Sequence, residues 1–157
     1  MIIKGVLFDF DGTLTIPGAI NFFEIKDYLG CPRETPVLEF IKTLNKDEQQ
    51  KAYNYLDRCE EEAARVSLPA PGAETVIREL KKDNIPLGII TRNSLNSILL
   101  ALDNFDYISA EDFAVILTRD DGIPKPDPAG VIKAALLLAV IAVQFMVSGF
   151  HQIRSLP

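Results

Sequence analysis

Residues Ile2 to Phe8 form a nearly continuous apolar run that stops abruptly at the polar, glycine-containing stretch Asp9-Phe10-Asp11-Gly12-Thr13-Leu14-Thr15. Seven residues are too few for a helix of useful length, and a strand this apolar must be covered on both faces. That single feature steers the chain toward a parallel sheet with helices on either side. The rest of the pattern agrees with it. Ala73 to Lys82 reads as a helix, Pro86 to Ile90 as a second buried strand, and Ser94 to Leu102 as a helix capped by Asn93 or Ser94. Phe113 to Leu117 reads as a third strand, and Pro128 to Leu138 as a helix with Asp127 at its N-cap and Pro128 at its first position. Val140 to Val147, rich in β-branched and aromatic residues, reads as a fourth strand. Strands alternating with helices predict an α/β, Rossmann-like parallel sheet flanked by helices.

Between the first strand and the first core helix lies a stretch without strand character. Phe22, Ile25 and Tyr28 recur at helical spacing, then Val37, Leu38, Ile41 and Leu44, then Ala52, Leu56, Cys59 and Ala63. Asn45 and Glu48 have the spacing of a capping box. Pro69-Ala70-Pro71-Gly72 marks the return. The expected organisation is a discontinuous core, residues 1–16 and 68–157, with a small helical cap over 17–67.

Composition narrows the function classes. The 157 residues suit one domain with a small insertion, and 48% hydrophobic with 24% charged residues is ordinary for a globular chain. A net charge of −6 argues against nucleic acid as a partner. Local cations and main-chain N–H groups can still hold one phosphate. Cys31 and Cys59 form no metal or redox motif and read as thiols of a reducing compartment. The apolar run Ala134 to Val147 is shorter than the roughly 20 residues a membrane span needs, so no membrane association is expected. The N-terminus lacks the features of a signal peptide. The expected location is the cytoplasm, or an organelle interior after processing.

In open parallel sheets, functional residues gather beyond the C-terminal strand ends. Here those ends carry Asp9 and Asp11, then Thr91-Arg92-Asn93, and Lys125-Pro126 lies ahead of the fourth predicted strand. Phosphoryl transfer through a covalent intermediate needs an anionic nucleophile, a proton source and charge neutralisation. Asp9 can be the nucleophile, and Asp11, two residues on, can protonate the leaving oxygen and later deprotonate water. Thr91 can donate to a phosphate oxygen and Lys125 supplies fixed charge, while Gly12 lets the backbone turn toward an anion. Taken singly, each residue has a plainer role. Paired acids solvate turns, Thr91 can cap a helix, Lys125 can be a surface lysine, and Asp127 suits an N-cap. Order and placement together favour the site.

The run Val6 to Thr15 resembles the first motif of the haloacid dehalogenase superfamily. Ile89-Ile90-Thr91 resembles the second motif and Lys125-Pro126 the third, and Pro71 to Thr91 is similar to the phosphoglycolate phosphatase-like branch. The resemblance covers roughly residues 1–138. It implies a Mg²⁺-dependent phosphatase acting on a small phosphorylated metabolite through an aspartyl-phosphate at Asp9, with Asp11 as general acid and base. Phosphate binding would involve Asp9, Phe10, Asp11, Thr91, Arg92 and Lys125, and Mg²⁺ would be held by Asp9 and Asp11. The acid at Asp11 favours phosphatase over dehalogenase chemistry.

The resemblance fails at one place. The family's fourth motif is a Gly-Asp pair after the fourth strand, and here no acidic residue follows Asp127. His151 is no substitute, because Mg²⁺ prefers oxygen ligands. Asp120 or Asp121 is the candidate replacement, Asp121 being a weak one. The expectation is a core whose last strand and helix are missing, an exposed edge on the fourth strand with self-association through it, and weakened metal binding. Two other functions follow from the same residues: a catalytically impaired, truncated isoform with a binding role, and a sugar phosphomutase.

Overall fold

The computed structural model describes residues 3–122, 125 and 127–153, with only the backbone path of 142–153. Three short strands, β1 (Val6–Phe8), β2 (Leu87–Ile90) and β3 (Val115–Leu117), form a parallel sheet in the order β1-β2-β3. Leu7 lies opposite Gly88, and Gly88 opposite Val115. The helices are α1 (Phe22–Leu29), α2 (Val37–Ile41), α3 (Lys46–Val66), α4 (Ala73–Lys82), α5 (Leu95–Leu102) and α6 (Pro128–Ile153).

The two-residue period of the strands sorts the core into two faces. Leu87 and Ile89 of β2 join Phe8, Ile77 of α4, and Ile98, Ala101 and Leu102 of α5 on one face. Ile90, Val115 and Leu117 meet Ala134 and Leu138 of α6 on the other, with Leu7 packed against them. Helices therefore cover both sides, as the apolar strands require. Close approach of α6 depends on two residues without side chains. A Cβ at Gly5 would lie 3.1 Å from Leu138 Cβ, and one at Gly88 would lie 3.4 Å from Leu138 Cδ1.

Helices α1, α2 and α3 carry a separate apolar cluster of Ile25, Val37, Leu38, Ile41, Ala52 and Leu56. The predicted capping box at Asn45 and Glu48 starts α3. Further along, Ala64 of the same helix belongs to the sheet's cluster, so α3 reaches from one apolar core to the other. The two chain segments leading to and from these helices run side by side, with Ile16 N–H donating to Leu68 O (2.9 Å) and Ala70 N–H to Leu14 O (2.8 Å).

The C-terminal reading needs correction. Residues 140–147 are not a fourth strand, because α6 runs unbroken from Pro128 to Ile153. A strand there would require the chain to turn after Leu138. The sequence Leu138-Ala139-Val140-Ile141-Ala142 offers no glycine, proline or polar breaker, and Leu and Ala favour continuation of a helix. The self-association expected through an edge on that strand loses its seat. The predicted N-cap at Asp127 is present, its Oδ1 accepting from Ala129 N–H at 2.8 Å. Among the described residues, no helix is long and apolar enough to cross a membrane.

Candidate active site

Asp9 is the first residue beyond β1 and Thr91 the first beyond β2, so parallel pairing of the two strands brings both to the same edge of the sheet. Gly12, at φ +75°, turns the chain back immediately after Asp11. Thr13, Leu14 and Thr15 N–H groups all bond back to Phe10 O, which closes the loop tightly. The Phe10 ring is buried in the core and anchors the loop between the two acids. Its N–H, by contrast, donates to Asp9 Oδ1 at 2.8 Å.

Lys125 reaches this loop from the third predicted motif. Its Nζ lies 2.6 Å from Asp9 Oδ1, and the Asp9 side chain keeps 52% of its exposure. Among the described residues both hydrogen bonds to Asp9 fall on Oδ1, so Oδ2 is the oxygen left for a ligand. Asp11 is tied differently. Asn93 Nδ2 donates to its Oδ2 at 2.8 Å, and the Asn93 N–H donates to Thr91 Oγ1 at 3.2 Å. With its oxygen already accepting, the Thr91 hydroxyl has its proton available to donate. Burial pushes the Asp11 carboxyl above the usual range, and the nearby Asp9 charge adds to this; the Asn93 bond and Lys125 pull against them. Asp11 as a residue remains solvent-exposed, so water screens part of the effect.

Asp9, Asp11, Thr91, Arg92, Asn93 and Lys125 all border one cleft of about 490 Å³. Its far wall comes from the helical segment, with Phe22, Lys26, Val37 and Leu38. Arg92 bridges the two sides through Glu39 of α2, Nη2 to Oε2 at 2.8 Å. The cleft thus mixes cations and carboxylates around a partly apolar wall, as ligand clefts commonly do.

The two substitute metal ligands are engaged elsewhere. Asp120 Oδ2 accepts from Leu95 N–H at 2.8 Å, at the start of α5. Asp121 Oδ2 accepts from Thr118 N–H at 2.8 Å, and its Oδ1 lies 3.7 Å from Lys133 Nζ. Neither borders the cleft. Among the described residues, no three His, Cys, Asp or Glu side chains converge as a metal site would need. The donors that remain, an exposed Asp9 carboxylate beside Asp11, are hard oxygen ligands of the kind Mg²⁺ accepts, and Mg²⁺ completes its shell with water and phosphate.

Sequence reasoning missed two partners. Asn93 stands in the predicted strand-end group but with no role beyond a possible cap, although its place two residues beyond Thr91 puts it beside Asp11. Glu60 follows Leu56 by four residues and therefore falls on the buried face of α3, where a carboxylate signals a partner. Its partner is Arg119, in a 3₁₀ turn after β3.

The family comparison agrees with this architecture. The model of the haloacid dehalogenase-like hydrolase family matches residues 15–147. The chain belongs to that family. It is similar to an uncharacterized hydrolase of Saccharomyces cerevisiae, 29% identical over 149 residues, covering 94% of this chain and 68% of the yeast protein. It is also similar to a haloacid dehalogenase-like hydrolase domain-containing protein of Arabidopsis thaliana, 31% identical over 137 residues, covering 80% of this chain and 54% of the plant protein. The chain thus spans about half the length of the plant relative. CbbY from Rhodobacter sphaeroides, solved in complex with phosphate, shares the fold at a TM-score of 0.61 with 23% identity, over 87% of this chain and 73% of that one.

Proposed function

We propose that the chain is a Mg²⁺-dependent phosphatase of small phosphorylated metabolites, built as a core of residues 1–16 and 68–157 with a helical cap over 17–67. The observation that carries this reading is the unequal treatment of two neighbouring acids. Lys125 Nζ lies 2.6 Å from Asp9 Oδ1, whereas Asp11 is held by Asn93 Nδ2 at 2.8 Å and its carboxyl is pushed upward by burial. A nucleophile must stay ionised, and a general acid needs a raised pKa. The phosphate bound to CbbY supports a phosphoryl ligand for this fold.

The chemistry follows from these positions. Asp9 Oδ2 attacks phosphorus while the ester P–O bond breaks, and Asp11 gives its proton to the leaving oxygen. Asp11 then takes a proton from water, whose oxygen bonds to phosphorus as the aspartyl P–O bond breaks. The Thr91 hydroxyl and Lys125 ammonium offset charge on the phosphoryl oxygens. Arg92 adds a cation once it leaves Glu39. Asp9 and the Asp11 main-chain carbonyl would hold Mg²⁺, which supplies further neutralisation of the phosphoryl charge when bound.

The test is phosphate release from a generic aryl phosphate, with and without Mg²⁺, by this chain and by Asp9→Asn. Activity that requires Mg²⁺ and disappears in Asp9→Asn is the expected result. A folded wild-type chain that releases no phosphate would instead favour a binding role without catalysis.

A further inference from the structure

We infer that Glu60 and Arg119 are positioning residues for this site: they hold the Thr91-Arg92-Asn93-Ser94 turn from behind, and through Asn93 they hold the Asp11 carboxylate. The inference rests on the phosphatase reading for its kinetic consequence, and on geometry alone for its structural one.

Both groups are buried. Glu60 is 4% exposed, and the Arg119 side chain is 6% exposed. Glu60 Oε1 accepts from Arg119 Nη1 at 2.5 Å, and its Oε2 accepts from Ser94 N–H at 3.1 Å. Arg119 Nη1 also donates to Arg92 O (3.2 Å), and Arg119 N–H donates to Asn93 O (3.2 Å). Asp57, one turn earlier on α3, binds the other guanidinium nitrogen. Burial works against the charged Arg119, but Glu60 and Asp57 outweigh it and keep its pKa above the ordinary arginine value.

The side chains of this ion pair therefore satisfy one carbonyl and one N–H of a four-residue turn, Arg92 O and Ser94 N–H, while Asn93 O is held by the Arg119 main chain. The front of the same turn makes the contacts that matter for chemistry, Asn93 N–H to Thr91 Oγ1 and Asn93 Nδ2 to Asp11 Oδ2. Among the described residues, neither Glu60 nor Arg119 bonds to Asp9, Asp11 or Lys125; Glu60 borders the cleft, but both its carboxylate oxygens are taken by Ser94 N–H and Arg119, so it acts on the reaction through the turn. A buried ion pair is poor value as mere glue, because two packed apolar side chains do as well or better. What apolar side chains cannot do is fix two main-chain polar groups, Arg92 O and Ser94 N–H, in place. Glu60 and Asp57 sit on α3, whereas the turn and Arg119 sit beyond β2 and β3, so seating of that helix sets the catalytic turn.

The experiment replaces both partners, Glu60→Met with Arg119→Met, in the full chain. Denaturant titration, Mg²⁺-dependent hydrolysis of an aryl phosphate, and hydrogen exchange of the amides of residues 92–95 are measured. The double variant should still fold but with lowered stability, because Arg92 O and the buried Ser94 N–H lose their partners. A sub-ångström loss of alignment should lower kcat about 10- to 100-fold while KM shifts by less than about threefold, and the 92–95 amides should exchange faster. A folded double variant with kcat within about twofold of wild type and unchanged exchange would overturn the inference. If the wild type itself proves inactive, the phosphatase reading fails separately, and hydrogen exchange alone decides: unchanged protection overturns the positioning role and lost protection supports it. Should the double variant not fold, the near-isosteric Glu60→Gln is read in the same way. Lowered kcat with faster exchange supports the role, and wild-type values of both overturn it.

Discussion

Removing the Lys125 ammonium while keeping its aliphatic stem, as in Lys125→Met, separates what this residue does for the reaction from what it does for the fold. The ammonium sits 2.6 Å from Asp9 Oδ1, and the two side chains are 28% and 52% exposed. A pair this wet contributes about 0–1 kcal/mol to stability, so the variant should unfold within roughly that margin of the wild type. The reaction should feel it much more. As the phosphoryl group transfers, the same ammonium becomes a charge-assisted donor to a more anionic centre, an interaction of about 1.5–3 kcal/mol. At about 1.4 kcal/mol per decade, that is a loss of roughly 10- to 150-fold in kcat/KM. The assay pairs steady-state phosphate release with urea denaturation on the same preparation. Two results would refute the reasoning. Activity retained within about twofold would mean that Lys125 faces no phosphoryl group. A stability loss of several kcal/mol would mean that the lysine is structural, contrary to its exposure.

The neighbouring acid should behave in the opposite sense. Asp11→Asn should cost about 10²–10⁴-fold in turnover, because the proton donor is gone. The same change should stabilise the fold at neutral pH. The Asp11 carboxyl is raised in the folded state, first by burial and then by Asp9. Its contribution is fully present below the unfolded carboxyl pKa of about 3.9, and it fades as pH rises through the folded value. The thermal midpoint of Asp11→Asn should therefore exceed that of the wild type near pH 7, with the gap closing as pH falls below about 4. A pH-independent gap would contradict this. In the sheet, Gly88→Ala should destabilise by about 1–3 kcal/mol, since its Cβ would lie 3.2 Å from Val115 O in the ladder and 3.1 Å from Leu7 Cδ1. Denaturant midpoints measure it, and an unchanged midpoint would mean that β2 and β3 separate more easily than their packing implies.

Much of the architecture was legible because strands and helices write their periods into the chain. The helix at Ala73–Lys82 was predicted to the residue, and the strand ends at Phe8, Ile90 and Leu117 all fell where the apolar runs stop. The polar residues that follow the first two runs also border the cleft, which is why Asp9, Asp11 and Thr91 could be named together. The segment after Leu138 was misread for a related reason. Val140 to Val147 is apolar throughout, and an apolar run without periodicity does not distinguish a buried strand from a buried helix. The absence of a turn between Ala139 and Val140 was the better signal, and it decides in favour of one long α6.

Glu60, Arg119 and Asn93 mark where sequence reasoning ran out. Arg119 and Glu60 are 59 positions apart, and Asn93 and Asp11 are 82 apart. No local pattern links residues so distant; the period of α3 marks Glu60 as buried but does not name its partner. The sequence by itself determined the first three strands, the helices between them and which residue types stand at the strand ends, because these depend on short-range periodicity and on the polarity of single side chains. Only the tertiary structure decided which carboxylate meets Lys125, which one is held by Asn93, and that a buried pair from α3 and the turn after β3 supports the turn between them. Those outcomes depend on parallel pairing of β1, β2 and β3, which brings distant chain ends to one edge, and on burial, which turns ordinary charges into groups that must find partners.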